Sequence, residues 1–181
     1  MAYDQTQRSA DPTGEDAIQS YVMGIQSAHA LETQATQLIA RQLERLESYP
    51  EVSAVLRQHG VETDRQIERL ERILGELGSG PSKLKDLALA ATGNAAALTH
   101  AAMSDEVMKN HFANVAFEAF EQATYRSLIA MAEQNGHRHH VAIYEESLAE
   151  EEKTFATLLE MTGPLTRKFM ELSLSGERAK T

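Results

Sequence analysis

Two pentapeptides, His29-Ala30-Leu31-Glu32-Thr33 and His59-Gly60-Val61-Glu62-Thr63, set the same His-x-x-Glu pair on two stretches whose apolar residues recur with helical spacing. Glu32 occupies an apolar slot of its stripe, and His59 and Glu62 fall on or beside the buried face of theirs, where free carboxylates are rare. Further on, Glu118-x-x-Glu121 and the run Glu150-Glu151-Glu152 interrupt two more amphipathic stripes. Four helices are therefore expected to present carboxylate inward. Several ionised carboxylates cannot be buried together unless cations compensate them. Mixed carboxylate and imidazole donors suit hard or borderline ions, iron or manganese in particular, and the ligand set does not choose between those two. The pattern predicts a two-metal site, in which bridging carboxylates hold the ions together and terminal ligands leave positions for water, dioxygen or peroxide. Each piece alone has a bland reading: Glu is common on helices, and a run of three puts one near any face. The conjunction on four helices carries the metal reading.

The elements that must position these residues are legible in the same stripes. Residues 1 to about 14 lack periodicity and end in turn formers, which reads as a flexible leader. From Glu15 to about Ser48, Ile18, Val22, Ile25, Ile39, Leu43 and Leu46 recur at helical spacing. Pro50 opens a second helix at a position where its missing N–H is not needed, with Val52, Leu56, Ile67, Leu70, Leu74 and Leu77 on its inner face. Gly78-Ser79-Gly80-Pro81 stops it, and the alanine-rich stretch Ser82 to Met103 reads as a long helical crossover. A third helix is expected from about Ser104, as N-cap, to Asn135-Gly136, with Val115, Glu118, Gln122, Tyr125 and Ile129 along its inner stripe. A fourth, from His137 to about Met161, places Glu151 between Leu148 and Phe155 and is expected to stop at Thr162-Gly163-Pro164. A short amphipathic segment, Pro164 to Leu174, would then dock on the bundle or on a second subunit.

Helix pair, long connection, helix pair, with no strand signal, is the single-crossover arrangement of ferritin-like bundles. The fold class expected is all-α: a ferritin-like four-helix bundle over residues 15–162, with a long helical crossover between helices two and three, followed by a short C-terminal helix and tail over residues 163–181. At 181 residues with 42% hydrophobic content the chain has enough apolar material for one core.

Bulk chemistry narrows the function. Seventeen basic against twenty-seven acidic residues give a net charge of −10, with no basic stripe, so neither nucleic acid nor anionic membrane is an expected partner. There is no cysteine, which rules out intrinsic disulfides, thiolate clusters and thiol catalysis. No apolar run approaches a signal segment or membrane span, and a cytoplasmic location is the expectation. Phosphate-loop, nucleophile-elbow and dinucleotide motifs are missing. His137, His139 and His140 cluster at a helix start, where solvated imidazoles are the ordinary state, and His100 and His111 read as packing or surface residues. Tyr125, one turn after Glu121, is placed either to hydrogen-bond a ligand carboxylate or to fill the core.

The chain resembles the YciE/YciF family of ferritin-like stress proteins over about residues 15 to 162. The motifs that carry the resemblance are His59-Gly60-Val61-Glu62-Thr63 with Gln66-Ile67-Glu68-Arg69-Leu70-Glu71, then Phe117-Glu118-Ala119-Phe120-Glu121 with Tyr125, Ser147-Leu148-Ala149-Glu150-Glu151, and the Gly136-His137 turn. It implies a ferritin-like bundle, often a homodimer, with a di-iron or di-metal centre and an association with stress responses. The ligands it implies are Glu32, His59, Glu62, Glu118, Glu121 and one of Glu150 and Glu151. His29 departs from the family, which usually has an apolar residue there, and the alanine-rich connection matches it poorly. Glu-x-x-Glu on helix three is also similar to rubrerythrin-type peroxidases, and by that analogy dioxygen or peroxide reduction is the expected chemistry. Lacking a cysteine-rich electron-transfer module, the chain would need a partner protein to deliver electrons. The competing class is a non-enzymatic stress-response protein that serves as a structural or interaction scaffold without a physiological metal.

Overall fold

The computed structural model describes residues 12–82, 85, 104–177 and 179. The expected leader (residues 1 to 11 of it), most of the alanine-rich connection and His100 lie outside the described residues. Four long helices, α1 (Pro12–Leu43), α2 (Pro50–Glu76), α3 (Glu106–Gln134) and α4 (Val141–Ser175), with a short 3-10 turn at Arg138–His140, account for the described fold. There is no strand among the described residues. No helix among them is long and apolar enough to cross a membrane.

Local chemistry explains the ends. Pro50 stands in the first turn of α2, where no hydrogen bond is demanded of it. Its other end closes at Gly78, whose φ of +67° suits a residue without Cβ, with the Ser79 N–H donating to Leu74 O at 2.8 Å. α3 ends in the same way, at Gly136 (φ +76°), with the His137 N–H donating to Ala132 O at 2.8 Å. Its start differs from expectation: the cap position belongs to Asp105, not Ser104, and makes no side-chain capping bond. The Asp105 carboxylate is instead 2.7 Å from Lys109 Nζ. α1 stops at Leu43 and not near Ser48, and Arg45 beyond it makes a two-pronged bond to the buried Glu106 at 2.5 and 2.7 Å.

The largest departure is at Pro164. In place of a stop followed by a separate docking helix, α4 runs unbroken through Gly163 and Pro164 to Ser175. A proline inside a helix removes one hydrogen bond and costs about 3 kcal/mol. The apolar stripe continues past it, however: Leu165 is buried, and Met161, Phe169 and Leu172 pack on the same cluster of Ile39, Tyr49, Val52, Leu56 and Val107. Burial of that stripe outweighs the proline penalty. The segment thus docks on its own bundle. Leu165→Ala is expected to lower stability by about 2–5 kcal/mol, read as a drop in urea midpoint; an unchanged midpoint would mean that the last turns of α4 do not contribute to the core.

The core has two apolar halves. One holds Tyr21, Ile25, Ala28, Leu70, Ile73, Leu74, Tyr125, Leu128, Ala132, Tyr144 and Leu148. The other holds Ile39, Leu46, Tyr49, Val52, Leu56, Val107, Met108 and Leu165. Each helix passes from one half to the other, α1 and α4 in one sense and α2 and α3 in the opposite sense. The end of α2 and the start of α3 therefore lie at opposite ends of the bundle, which is the single-crossover topology. Between the halves, every helix contributes buried polar residues at mid-depth.

Candidate metal centre

That polar layer contains Glu32 of α1, His59, Glu62, Thr63 and Gln66 of α2, Glu118 and Glu121 of α3, and Ser147, Glu151 and Thr154 of α4, all buried. Helical spacing puts them at one depth: His59, Glu62 and Gln66 are successive inner positions of α2, as are Glu118 and Glu121 of α3. Within the layer His59, Glu118, Glu121 and Glu151 each offer one donor atom within 4.8 Å of the others. His59 Nε2 lies 3.2 Å from Glu118 Oε1, and His59 Nδ1 is 3.4 Å from Thr154 Oγ1, which turns Nε2 to the centre.

The neighbours of this quartet hold it from outside. The Tyr125 hydroxyl donates to Glu32 Oε1 at 2.6 Å, so Tyr125 both fills the core and fixes a carboxylate. The Gln66 amide donates to Glu151 Oε1 at 2.5 Å and to Glu150 Oε2 at 3.0 Å. Glu62, although buried, is bonded to Gln58 at 2.9 Å and lies 3.4 Å from Lys153 Nζ. Glu150 is engaged by Arg69 at 2.6 Å, so helix four aims Glu151 at the quartet and Glu150 at a guanidinium. His29 sits 3.3 Å from Glu71, and His111 bonds Thr162 Oγ1 at 2.9 Å; neither belongs to the quartet. Gln66 and Thr154 were not singled out as functional by sequence, although each lies one helical turn from a layer residue, Gln66 after Glu62 and Thr154 after Glu151.

The electrostatics follow from burial. Burial first, opposed by the Tyr125 bond and the His59 charge, pushes the Glu32 carboxyl up to about 7. Burial, then the charges of Glu32 and Glu118, push Glu151 to about 10. Glu121 is raised well above the ordinary carboxylate range by burial and by Glu32, Glu151 and Glu118 around it. For His59 burial acts to lower the pKa, but the Glu118 bond and the surrounding carboxylates outweigh it and leave the imidazole more basic than usual. Five carboxylate oxygens in the layer, Glu32 Oε2, Glu118 Oε2, both of Glu121 and Glu151 Oε2, are buried without a hydrogen-bond partner. Acceptors left without donors cost about 1–3 kcal/mol each, more if charged. Such a set accepts protons or cations, so the residues present fit a metal.

A buried oxygen already lacking a partner makes its neighbour sensitive. Tyr125→Phe strips Glu32 of its donor and is expected to destabilise the protein by about 1–3 kcal/mol, measurable by urea unfolding without metal; no change would show that the hydroxyl bond carries no stability.

Comparison with known proteins agrees with this architecture. The family model described as "Domain of unknown function (DUF892)" matches residues 16–171. The chain belongs to the DUF892 family. Among solved structures this DUF892 chain is similar to a Xanthomonas campestris protein at 28% identity, covering 87% of this chain and 99% of that one with a TM-score of 0.74. It is similar to YcfI of Rhodopseudomonas palustris at 26% identity, over 86% and 97% of the two chains, with a TM-score of 0.68. The E. coli stress protein YciF shares the fold, with a TM-score of 0.71 at 24% identity over 81% of this chain and 94% of YciF. The resemblance drawn from the helix motifs and the all-α fold class are both borne out.

Proposed function

We propose that this DUF892 protein is a metal-handling, stress-associated protein whose mid-bundle layer holds a carboxylate-bridged pair of iron ions, with manganese as the alternative. The observation that carries this reading is the meeting of one imidazole and three carboxylates from three helices, with five buried carboxylate oxygens still lacking a donor. His59, Glu118, Glu121 and Glu151 are the core ligands, and Glu32 and Glu62 complete the set from α1 and α2. Glu150 serves as the Arg69-bound support of Glu151 and not as a ligand. Two iron ions held there would supply the electrons for reducing dioxygen or peroxide, or be the stored cargo themselves.

The chain's own residues prepare the site. Thr154 orients His59, Gln66 holds Glu151, and Tyr125 holds Glu32, the outer-shell bonds that fix a ligand's direction and basicity. The two apolar halves exclude bulk water from the layer. Protons that neutralise Glu121 and Glu151 in the metal-free protein leave as cations enter. The same bonds also support a second reading, in which the layer is a protonated polar network in a non-enzymatic scaffold.

Anaerobic reconstitution with ferrous ion followed by elemental analysis separates the two, with about two ions per chain expected on the ligand count of two-metal bundles. His59→Ala should reduce that content while Glu152→Gln, at an exposed side chain outside both histidine and carboxylate clusters, leaves it unchanged. Equal loss in both, or no ion retained by the wild type, would favour the scaffold.

A further inference from the structure

A second constellation lies at the end of α2, far along the bundle from the carboxylate layer. After the Gly136 turn, His137, His139 and His140 present three rings in mutual contact: 4.1 Å between the centroids of His139 and His140, 5.2 Å between those of His137 and His140, and 5.8 Å between those of His137 and His139. One ring nitrogen from each lies within 4.8 Å of the others. Glu76, in the last turn of α2, joins them, with Oε2 at 3.0 Å from His140 Nε2 and 3.6 Å from His139 Nε2.

The anchor is His140. It is fully buried, and its Nδ1 lies 2.8 Å from the buried Tyr21 hydroxyl, itself 2.8 Å from that of Tyr144. The imidazole is therefore held with Nε2 turned outward to Glu76, as in histidines whose other nitrogen is fixed by an outer partner. A tetrahedral ion with bonds of about 2.0–2.1 Å separates its ligand atoms by about 3.3–3.5 Å. The distances from Glu76 to the two imidazoles straddle that value. His139 is 64% and Glu76 44% exposed, and His137, stacked on His140 at an interplanar angle of 9°, turns out of the stack to direct its lone pair at the same ion, so rotations of these three side chains close the set around the fixed His140.

We infer that His137, His139, His140 and Glu76 form a second metal site, for a borderline divalent cation of the Zn2+ type, which pins the C-terminal end of α2 to the corner between α3 and α4. Three imidazoles and a carboxylate suit Zn2+, Ni2+ and Cu2+ better than the harder ions. The site does not depend on the proposed centre in the carboxylate layer.

The test is a Zn2+ titration of the untagged full chain against a chromophoric chelator, in the wild type and in a Glu118→Gln/Glu121→Gln background that removes two carboxylates of the layer. One micromolar or tighter site should persist in that background. Adding His139→Ala and Glu76→Gln, both at exposed side chains, should abolish it with the helical circular dichroism retained. Tyr21→Phe should weaken it by about tenfold or more through the loosened His140, and nitrogen chemical shifts of His140 should report Nε2 as the metal-bound atom in the parent. Absence of a saturable site in the background, or an unchanged site after His139→Ala/Glu76→Gln, would overturn the assignment.

Discussion

Metal-loaded protein is expected to melt well above the metal-free form, with the gap widening as pH rises. An ion that binds only the folded chain stabilises it by about 3 kcal/mol at a hundredfold excess over its dissociation constant. The pH dependence follows from the metal-free layer. Glu151 has its folded pKa raised to about 10 from 4.5, and Glu32 is raised to about 7 from the same value. A carboxyl raised on folding contributes stability that is fully present below its unfolded pKa and lost as pH climbs through the folded one. The metal-free protein should therefore weaken progressively above pH 4.5, through about 7 for Glu32 and towards about 10 for Glu151. Cations displace those same protons, so their stabilisation grows over the same window. Melting curves with ferrous or manganous ion under anaerobic conditions, against a magnesium control, at about pH 5.5 and about pH 8, measure both effects. Superimposable curves at both pH values would remove the metal from the account.

Glu121→Gln should act in opposite directions on the two states. Glu121 is fully buried, surrounded by Glu32, Glu118 and Glu151, and neither of its oxygens has a partner. An amide of the same shape is neutral without taking up a proton and supplies two N–H donors to orphaned oxygens, so the metal-free protein should gain about 1–3 kcal/mol. On the proposed reading a metal ligand is lost at the same time, and metal affinity should fall on the order of a hundredfold or more, beyond what outer-shell changes cause. Glu152→Gln, on the exposed side of the same helical turn as Glu151, is the control and should change neither. If Glu121→Gln left iron content untouched, the carboxylate layer would be structural.

The sequence by itself determined the all-α bundle and the glutamates and the histidine of its polar layer, but not the threonines, serine and glutamine among them. Stripes at helical spacing define the four helices, and Glu32 and Glu118 fall on the apolar stripes of their own helices, whereas the third stripe, drawn through Gln122, passes one residue beside Glu121, which packing buries completely. Spacing also favoured Glu151 over Glu150, since Glu151 shares a face with Leu148 and Phe155. What spacing cannot contain is the cross-helix partner. That Arg69 draws Glu150 aside, that Gln66 and Thr154 orient the core residues, and that Lys153 lies against Glu62 depend on how α2 and α4 face each other. The continuation of α4 through Pro164 has the same origin, because a local proline penalty was outweighed by Leu165, Phe169 and Leu172 packing on residues of the other three helices, far away in sequence. The histidine corner is the clearest case. Its sequence reads as solvated imidazoles after a turn, and only the packing of α1 and α2 against it brings Tyr21 behind His140 and Glu76 in front.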